Sequence, residues 1–249
     1  MNISALITTV ISFIIKPQKR ALVRIANTLK GKTGLEIGGP SGFFALKSYC
    51  PVYLFAKQID GVNFSNETVW EGSIKQGLNY AYTPDKKGFQ YIAEASNLDA
   101  IANDKYDFLL SCHSLEHVAN PLLALEGWYR VIKPGGLLIL VLPDKNHTFD
   151  HKRPYTSFEH ILNDYAQQID EHDTTHFEEV YALHDLSMDN GVQSLAELKA
   201  RTVDNFTNRC VHHHVYSIEV LSQMVQHLAF TVVHSQIATP HHLVLVARK

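Results

Sequence analysis

An apolar run that ends on an acid and then breaks into a glycine-rich turn lies at Leu35–Gly42, in the order Leu-Glu-Ile-Gly-Gly-Pro-Ser-Gly. This order predicts a strand that runs into a ligand-binding loop, because glycines permit backbone angles that a Cβ would forbid and let main-chain N–H groups approach a bound molecule. The dinucleotide fingerprint G-x-G-x-x-G does not fit, since Pro40 stands where its second glycine belongs. The alternative is a turn that merely links a strand to a helix.

Strand and helix signals alternate after this turn, which is typical of a parallel α/β sheet with crossover helices. Leu137–Leu142 is apolar on both faces, as in a strand buried in the middle of a sheet. The predicted helix caps are Asn120, Ser194 and Ser217, and a further helix is predicted at Ser157–Gln168. The predicted strands after the turn are Gln58–Phe64, Gln90–Ala93, Tyr106–Cys112, Leu137–Leu142, Phe230–Ile237 and Leu243–Ala247.

The glycine-rich turn resembles motif I of the class I S-adenosylmethionine-dependent methyltransferases, written E/D-x-G-x-G-x-G. Glu36, Gly38 and Gly42 match this motif, and Pro40 departs from it. The resemblance implies a Rossmann-like, doubly wound and mostly parallel seven-stranded sheet with an antiparallel terminal hairpin. It also implies that the cofactor is S-adenosylmethionine and that the protein is a methyltransferase.

Four further segments are similar to other parts of that family. Ser111–Val118 is close to the S-x-x-x-L-E-H-V of many small-molecule ("type 11"-like) members, and Val131–Gly136 resembles the helix-to-strand junction before the fifth strand. Ile59–Ser65 resembles the second-strand motif, and Glu94–Leu98 resembles the loop after the third strand. Together these similarities extend over residues 33 to 143 and 215 to 248.

The resemblance implies a set of residues around the cofactor. In the family, the motif I acid lies near the amino group of the cofactor, a second-strand acid binds the ribose, and an acid with the next amide meets the adenine. Asn63 stands at the place of the ribose acid, and Asp60 is the alternative. The residues expected to bind the cofactor are Glu36, Gly38, Gly39, Pro40, Ser41, Gly42, Asp60, Asn63, Glu94, Ala95, Ser111, Cys112 and His113.

A long insertion, at about residues 143–215, separates the fifth strand from the last helix and holds most of the 15 histidines. We divide the chain into an N-terminal helical segment, residues 1–30, and a methyltransferase domain, residues 31–249, that contains this insertion. The connection is brief in the smallest family members, so the insertion is where we expect substrate specificity to reside.

The histidines suggest either a metal site or acid–base chemistry. No H-E-x-x-H or other compact ligand pair is present, and neighbouring residues of an extended His212–His214 would face opposite sides, so we expect no bound metal. A histidine near neutrality can accept the proton of an acceptor hydroxyl. His113, His147 and His151 are the candidate bases, because they follow the fourth and fifth predicted strands.

Composition limits the partners of the protein. The net charge of −3 disfavours nucleic acid, and three scattered cysteines argue against a disulfide framework or a zinc ribbon, which fits a reducing cytoplasm. The apolar stretch Ile3–Ile15 is shorter than a membrane span, which needs about 20 residues. We expect an amphipathic helix that continues after Pro17 into Ala21–Leu29, and the alternative is a peripheral membrane contact through residues 1–20.

Two functional hypotheses follow. The first is a methyltransferase that acts on an oxygen or nitrogen atom of a small molecule, sugar or glycan. The second is a catalytically degenerate member that binds a ligand or a partner, for which Pro40 and Asn63 are the supporting departures. Neither the acceptor nor the oligomeric state follows from the sequence.

Overall fold

The centre of the fold is an eight-stranded sheet in a computed structural model that describes residues 17–249 together with Ile7, Val10 and Ile11. The strands are β1 (Thr33–Ile37), β2 (Gln58–Asn63), β3 (Glu67–Thr68), β4 (Gly72–Ser73), β5 (Gly77–Thr83), β6 (Lys86–Ile92), β7 (Tyr106–Cys112), β8 (Ile132–Pro143), β9 (Thr231–Ala238) and β10 (His242–Arg248). The helices of residues 17–249 are α1 (Pro17–Thr28), α2 (Val52–Phe55), α3 (Pro121–Val131), α4 (Phe158–Ala166), α5 (Phe177–Leu183), α6 (Leu195–Val203), α7 (Asn205–Asn208) and α8 (Ile218–His227).

The strand order across the main sheet is β5-β6-β2-β1-β7-β8-β10-β9, whereas β3 and β4 form a separate small hairpin. The five strands from β6 to β8 are parallel, and β1 pairs with both β2 and β7. The strand order reverses beside β1, and ligands of open α/β sheets bind at the carboxyl ends of the strands at such a point. This topology therefore puts the end of Leu35–Gly42 at the expected ligand crevice.

Antiparallel strands lie at both edges of the sheet. β10 pairs with β8 and β9, which confirms the terminal hairpin and the Rossmann-like, doubly wound fold. At the other edge, β5 pairs with β6 as an eighth strand that the sequence pattern did not predict. No helix lies between Asn63 and Tyr106, so the expected strand–helix alternation fails in this part of the chain.

Each of the three predicted helix caps forms as expected, and Ser157 caps the helix predicted at Ser157–Gln168 in the same way. The side chains of the four cap residues accept main-chain N–H groups three residues further on, which satisfies donors that have no partner within the helix. These pairs are Asn120 with Leu123, Ser157 with His160, Ser194 with Glu197, and Ser217 with Val220.

Two large apolar cores pack against the main sheet, and Trp128 of α3 is fully buried in the first of them. Its Nε1 donates to Ala95 O at 2.8 Å, so α3 is fixed to the loop that follows β6. The second core contains Leu22, Ala26 and Leu29, all fully buried, and therefore covers one side of α1. The contact of Trp128 therefore holds the loop at Ala95 against packed apolar surface.

The helix predicted after Pro17 is present as α1, but most of Ile3–Ile15 lies outside the described residues. In the described part of the chain, no helix combines the length and the apolar character that crossing a membrane requires.

The segment between β8 and α8 contains α4 to α7 and has a small apolar core of its own. Val180 and Leu198 are buried in this core, together with Val192 and Val211. The segment leaves the sheet at Pro143, at the carboxyl end of β8, and so begins beside the ligand crevice.

Candidate active site

A cavity of about 620 Å³ opens at the carboxyl ends of the parallel strands, and the segment between β8 and α8 contributes part of its wall. This volume is in the range of small-molecule and cofactor sites. The predicted site residues that line the cavity are Gly38, Pro40, Ser41, Asn63, Glu94, Ala95, Cys112, His113 and His147. Those that lie outside its lining are Glu36, Gly39, Gly42, Asp60, Ser111 and His151.

The loop after β1 depends on glycine at two positions. Gly38 has a φ of +71°, and a Cβ there would lie 2.3 Å from Ser114 Oγ. A Cβ on Gly39 would lie 2.3 Å from Tyr80 Oη and 2.5 Å from Glu36 Oε1. At both positions, any residue other than glycine would therefore force neighbouring atoms to move.

Glu36 is fully buried beneath this loop. Its carboxylate accepts hydrogen bonds from Tyr53 Oη at 2.7 Å, from Tyr80 Oη at 2.8 Å and from the Ser41 N–H at 3.0 Å. Burial raises the pKa of Glu36, and these hydrogen bonds act in the opposite direction. Glu36, the motif I acid, therefore fixes the conformation of the glycine loop, because all three of these hydrogen bonds come from protein groups.

Asn63 and Asp60, the two candidates for the ribose contact, occupy different environments. Asn63 lines the cavity, and its Nδ2 donates to Gly39 O at 3.2 Å, which leaves Oδ1 available as an acceptor. The Asp60 carboxylate accepts from Tyr106 Oη at 2.7 Å and from the Phe89 N–H at 2.9 Å. The structure thus brings Asn63 to the cavity and places Asp60 within the sheet.

Glu94, after β6, is paired with an arginine from the far end of the insertion. Arg209 donates to Glu94 Oε1 at 2.7 Å and lies 2.6 Å from Glu171 Oε2. Its guanidinium stacks over Phe64 at 5.1 Å, and its backbone adopts a left-handed conformation with a φ of +51°. Sequence reasoning did not identify Arg209, because 115 residues separate it from Glu94.

His113 lines the cavity with a φ of +51°, and its Nε2 lies 3.0 Å from His242 Nδ1. Burial, with further effects of neighbouring histidines, lowers the pKa of His113 to about 3. Its imidazole is therefore neutral at physiological pH. Cys112 also lines the cavity, and burial raises the pKa of its thiol.

The other two predicted bases differ in their access to the cavity. His147 lines it with a side chain that is 56% exposed, and its Nδ1 lies 3.3 Å from Asp144 Oδ2. His151 lies outside the lining, and its Nε2 is hydrogen-bonded to Asp185 Oδ2 at 2.8 Å. Of these two residues, the geometry brings only His147 to the cavity.

His212, a cavity histidine that was not among the predicted bases, has the environment of a general base. His212 Nδ1 is hydrogen-bonded to Asp150 Oδ2, and Asp150 Oδ1 in turn accepts from Arg153 Nη1 at 2.9 Å. Burial alone would lower the pKa of His212, but the Asp150 carboxylate and its hydrogen bond raise it above the usual value. Sequence reasoning missed this pair because 62 residues separate the partners.

Glu116 lies beside His212, and both of its carboxylate oxygens are buried without a hydrogen-bond partner among the described residues. Burial raises the pKa of Glu116 to about 7, although the nearby His212 acts to lower it. Buried polar groups without partners are uncommon, and they mark places where a ligand, an ion or a water molecule binds. Glu116 and His212 thus make one side of the cavity polar.

An aromatic side chain lies at the mouth of the cavity. Trp70 is in the turn between β3 and β4, is 55% exposed, and lines the cavity. Its ring centroid lies 5.4 Å from that of His117. The small β3–β4 hairpin therefore presents an apolar surface to a ligand that enters from solvent.

Comparisons with known proteins agree with this arrangement. Residues 12–235 match a family described as a methyltransferase domain. No curated protein matches the chain.

Solved structures with the same fold include S-adenosylmethionine-dependent methyltransferases from two organisms. The one from Mesorhizobium loti is 14% identical, with a TM-score of 0.53 over 94% of this chain and 96% of that chain. The one from Methanosarcina mazei is 15% identical, with a TM-score of 0.50 over 91% of this chain and 96% of that chain. The family match extends over most of the chain, and the chain therefore belongs to the methyltransferase-domain family, with the class I fold.

Proposed function

We propose that the protein transfers the methyl group of S-adenosylmethionine to an oxygen or nitrogen atom of a small molecule, and that the acceptor is a sugar or a glycan. S-adenosylmethionine is the cofactor, as the family and the fold indicate. The observation that carries the catalytic part of the proposal is the His212–Asp150 pair at the cavity.

The part of the cavity next to the glycine loop would hold the cofactor. The Gly39 N–H could donate to its methionine end, because the Gly38 and Ser41 N–H groups already donate to Val62 O and Glu36 Oε1 and Pro40 has none. Asn63 Oδ1 would accept a hydrogen bond from a ribose hydroxyl. Glu94 and Ala95 lie beside the adenine, with Arg209 holding the Glu94 side chain. The sulfonium would then lie near the ends of β1 and β7.

The acceptor occupies the part of the cavity that the insertion lines. Polar groups of His147, His212 and Glu116 can bind hydroxyls there, and Trp70 can lie against the apolar face of a sugar ring. Because Trp70 is at the mouth, a longer glycan extends from the cavity into solvent.

His212 accepts the proton in the transfer step. S-adenosylmethionine would supply an electrophilic methyl group to the acceptor oxygen, and S-adenosylhomocysteine would be the leaving group, with the electron pair of the broken carbon–sulfur bond on sulfur. The hydroxyl proton moves to His212 Nε2, while Asp150 holds Nδ1–H and stabilises the imidazolium. For an amine acceptor, the same atom takes the proton that the product amine releases.

The His212→Asn substitution tests the catalytic role. We expect turnover to fall by about 10²- to 10⁴-fold, because a positioned base contributes that much, whereas the Kd for S-adenosylhomocysteine stays unchanged. His172→Asn is the matched control, since His172 lies in the same insertion with a side chain that is 70% exposed. Unchanged turnover in His212→Asn would exclude the base role.

The acceptor class needs a separate experiment. The protein is incubated with methyl-labelled S-adenosylmethionine and with cell extract separated into glycans, lipids and small molecules. We expect label in the glycan fraction, or in sugars of the small-molecule fraction, with the native protein and very little with His212→Asn. Label in lipids, or in small molecules that are not sugars, would contradict the assignment of a sugar or glycan acceptor.

Asn63 in place of an acid favours the second candidate, a degenerate member that binds a ligand without methyl transfer. Tight S-adenosylhomocysteine binding, together with no label in any fraction, would support that candidate.

A further inference from the structure

Four side chains of the insertion converge at a place that none of the cavity residues occupies. His160 and Asp164 lie one turn apart on α4, His176 is the residue before α5, and His214 lies in the extended segment before α8. One ring nitrogen of each histidine and a carboxylate oxygen of Asp164 all lie within 4.8 Å of one another. Three separate segments thus bring three imidazoles and one carboxylate to a single point.

The distances between these atoms have the scale of a metal coordination sphere. His160 Nε2 lies 3.2 Å from His176 Nε2 and 3.2 Å from Asp164 Oδ2. Ligands at about 2.0–2.1 Å from a tetrahedral zinc ion are separated by about 3.3–3.4 Å, which is close to these distances.

Two potential metal-ligand atoms of the group are buried and have no hydrogen-bond partner among the described residues. They are Asp164 Oδ2 and His214 Nδ1, in residues that are 9% and 1% exposed. His214 Nε2 lies 3.1 Å from Ala119 O, which can only accept, so this nitrogen carries the ring proton and Nδ1 keeps its lone pair. Unpaired buried lone pairs are costly, and a bound cation would satisfy them.

We propose that His160, Asp164, His176 and His214 bind one divalent transition-metal ion, with zinc as the best fit. Imidazole nitrogens suit zinc, copper, iron and nickel, whereas magnesium and calcium prefer oxygen ligands. Four protein ligands without an open position are typical of structural zinc sites. The proposal departs from the expectation of no metal, which rested on spacing along the chain, because these four residues come from segments up to 54 positions apart in the sequence.

Two other groups of potential ligands are present in the described part of the chain, and both belong to the cavity. One contains His113, His241 and His242, where His113 and His242 already bond to each other. The second contains Glu116, His117 and His212, and its members line the site of methyl transfer. The His160 group differs because none of its four members lines the cavity.

The position of the group indicates a structural role for the ion. Asn120 Nδ2 donates to Asp164 O at 3.3 Å, which connects α4 to the start of α3. His214 lies two residues after His212, so an ion at His214 would also fix the segment that carries the proposed base. The bound metal would therefore hold the insertion together and against the methyltransferase core.

Metal analysis of the full-length protein without a histidine tag tests the proposal. The protein is loaded with zinc, dialysed against buffer without metal, and measured by elemental mass spectrometry. We expect about one zinc ion per chain in the native protein and less than about one tenth in the double variant His160→Asn/His176→Asn. The control variant His172→Asn keeps the native zinc content.

A second measurement uses only the native chain, in case the double variant does not fold. The protein is stripped with a chelator and titrated with zinc while its melting temperature is recorded. We expect the melting temperature to rise with zinc concentration, because an ion that binds only the folded state stabilises it. Cobalt should give the intense visible absorption of a tetrahedral site.

Equal zinc contents in the native protein and a folded double variant would overturn the proposal. A stripped native protein whose melting temperature does not respond to zinc would also overturn it. Either result would identify the group as a hydrogen-bonded histidine cluster without a metal. Both readouts are independent of methyl transfer, so they separate this proposal from the proposed function.

Discussion

Arg209 Nη2 donates to Glu94 Oε1 at 2.7 Å, and the same guanidinium lies 2.6 Å from Glu171 Oε2. Glu94 follows β6 at the cavity, whereas Arg209 is near the end of the insertion. The insertion therefore takes part in the proposed adenine site as well as in the acceptor site. Removal of Arg209 would leave the partly buried Glu94 and the buried end of Glu171 without their counter-charge.

Arg209→Met should weaken cofactor binding. We expect the Kd for S-adenosylhomocysteine to rise about tenfold, which is about 1.4 kcal/mol, because Glu94 loses the contact that fixes its side chain. Titration calorimetry measures the change, and Arg248→Met serves as the control because Arg248 is exposed at the end of β10. An unchanged Kd would show that Glu94 needs no such support.

Asn63→Asp should not strengthen cofactor binding, although it restores the acid of the family motif. Asn63 Nδ2 donates to Gly39 O, and a carboxylate at this position would instead face that carbonyl oxygen. We expect an equal or higher Kd for S-adenosylhomocysteine in Asn63→Asp, and a Kd about tenfold higher in Asn63→Leu.

Asp60→Asn provides the contrast to these variants. It should lower the free energy of unfolding by about 1–3 kcal/mol, because Asp60 accepts from Tyr106 and Phe89 inside the sheet, and leave the Kd unchanged. A tighter complex with Asn63→Asp, or a large loss of affinity with Asp60→Asn, would contradict the placement of Asn63 at the ribose.

Acidification should destabilise the protein partly through His113. Its pKa is lowered to about 3 in the folded state by burial and by His242, His241 and His212, against 6.5 for an ordinary histidine. As the pH falls through about 6.5, the unfolded chain binds a proton at this ring that the folded chain does not, so stability falls.

His113→Asn should reduce the pH dependence of stability. Asparagine tolerates the left-handed backbone at this position and does not titrate. Urea unfolding between about pH 7.5 and 5 should show a slope that is smaller by up to about 1.4 kcal/mol per pH unit. An identical slope in both proteins would mean that His113 takes up its proton at the same pH in the folded state as in the unfolded chain.

Trp70→Ala should affect the acceptor without affecting the fold. Trp70 is 55% exposed and lines the mouth of the cavity, so we expect a higher KM for the acceptor, an unchanged Kd for S-adenosylhomocysteine and an unchanged melting temperature. Leu78→Ala is the matched control, because Leu78 is 76% exposed on the nearby strand β5. Equal KM values for the acceptor in Trp70→Ala and Leu78→Ala would show that Trp70 does not contact the acceptor.

Local signals predicted most of the fold. The three predicted helix caps and the buried strand around Leu137–Leu142 are encoded in short stretches, and each forms where expected. Strand β5 was missed because its residues Gly77–Thr83 mix glycine, asparagine and threonine at a sheet edge, where one side faces solvent. Such a strand lacks the continuous apolar pattern of a central one.

Only the site residues that lie together in one short stretch of the sequence could be predicted. The loop from Gly38 to Ser41 follows directly from β1, whereas the choice between Asp60 and Asn63 depends on which face of β2 meets the cavity. Pairs such as His212 with Asp150, and Arg209 with Glu94, join residues far apart in the sequence. No pattern of spacing identifies them, because the tertiary fold alone brings them together.

The buried carboxylate of Glu36 has a further consequence for the energetics of binding. Tyr53 and Tyr80 fix it from two different elements, and it fixes the Ser41 N–H in turn. The glycine loop is thus held in one conformation before any ligand arrives, so association does not have to immobilise it. This rigid loop allows the cofactor to be exchanged at each turnover with little loss of conformational entropy.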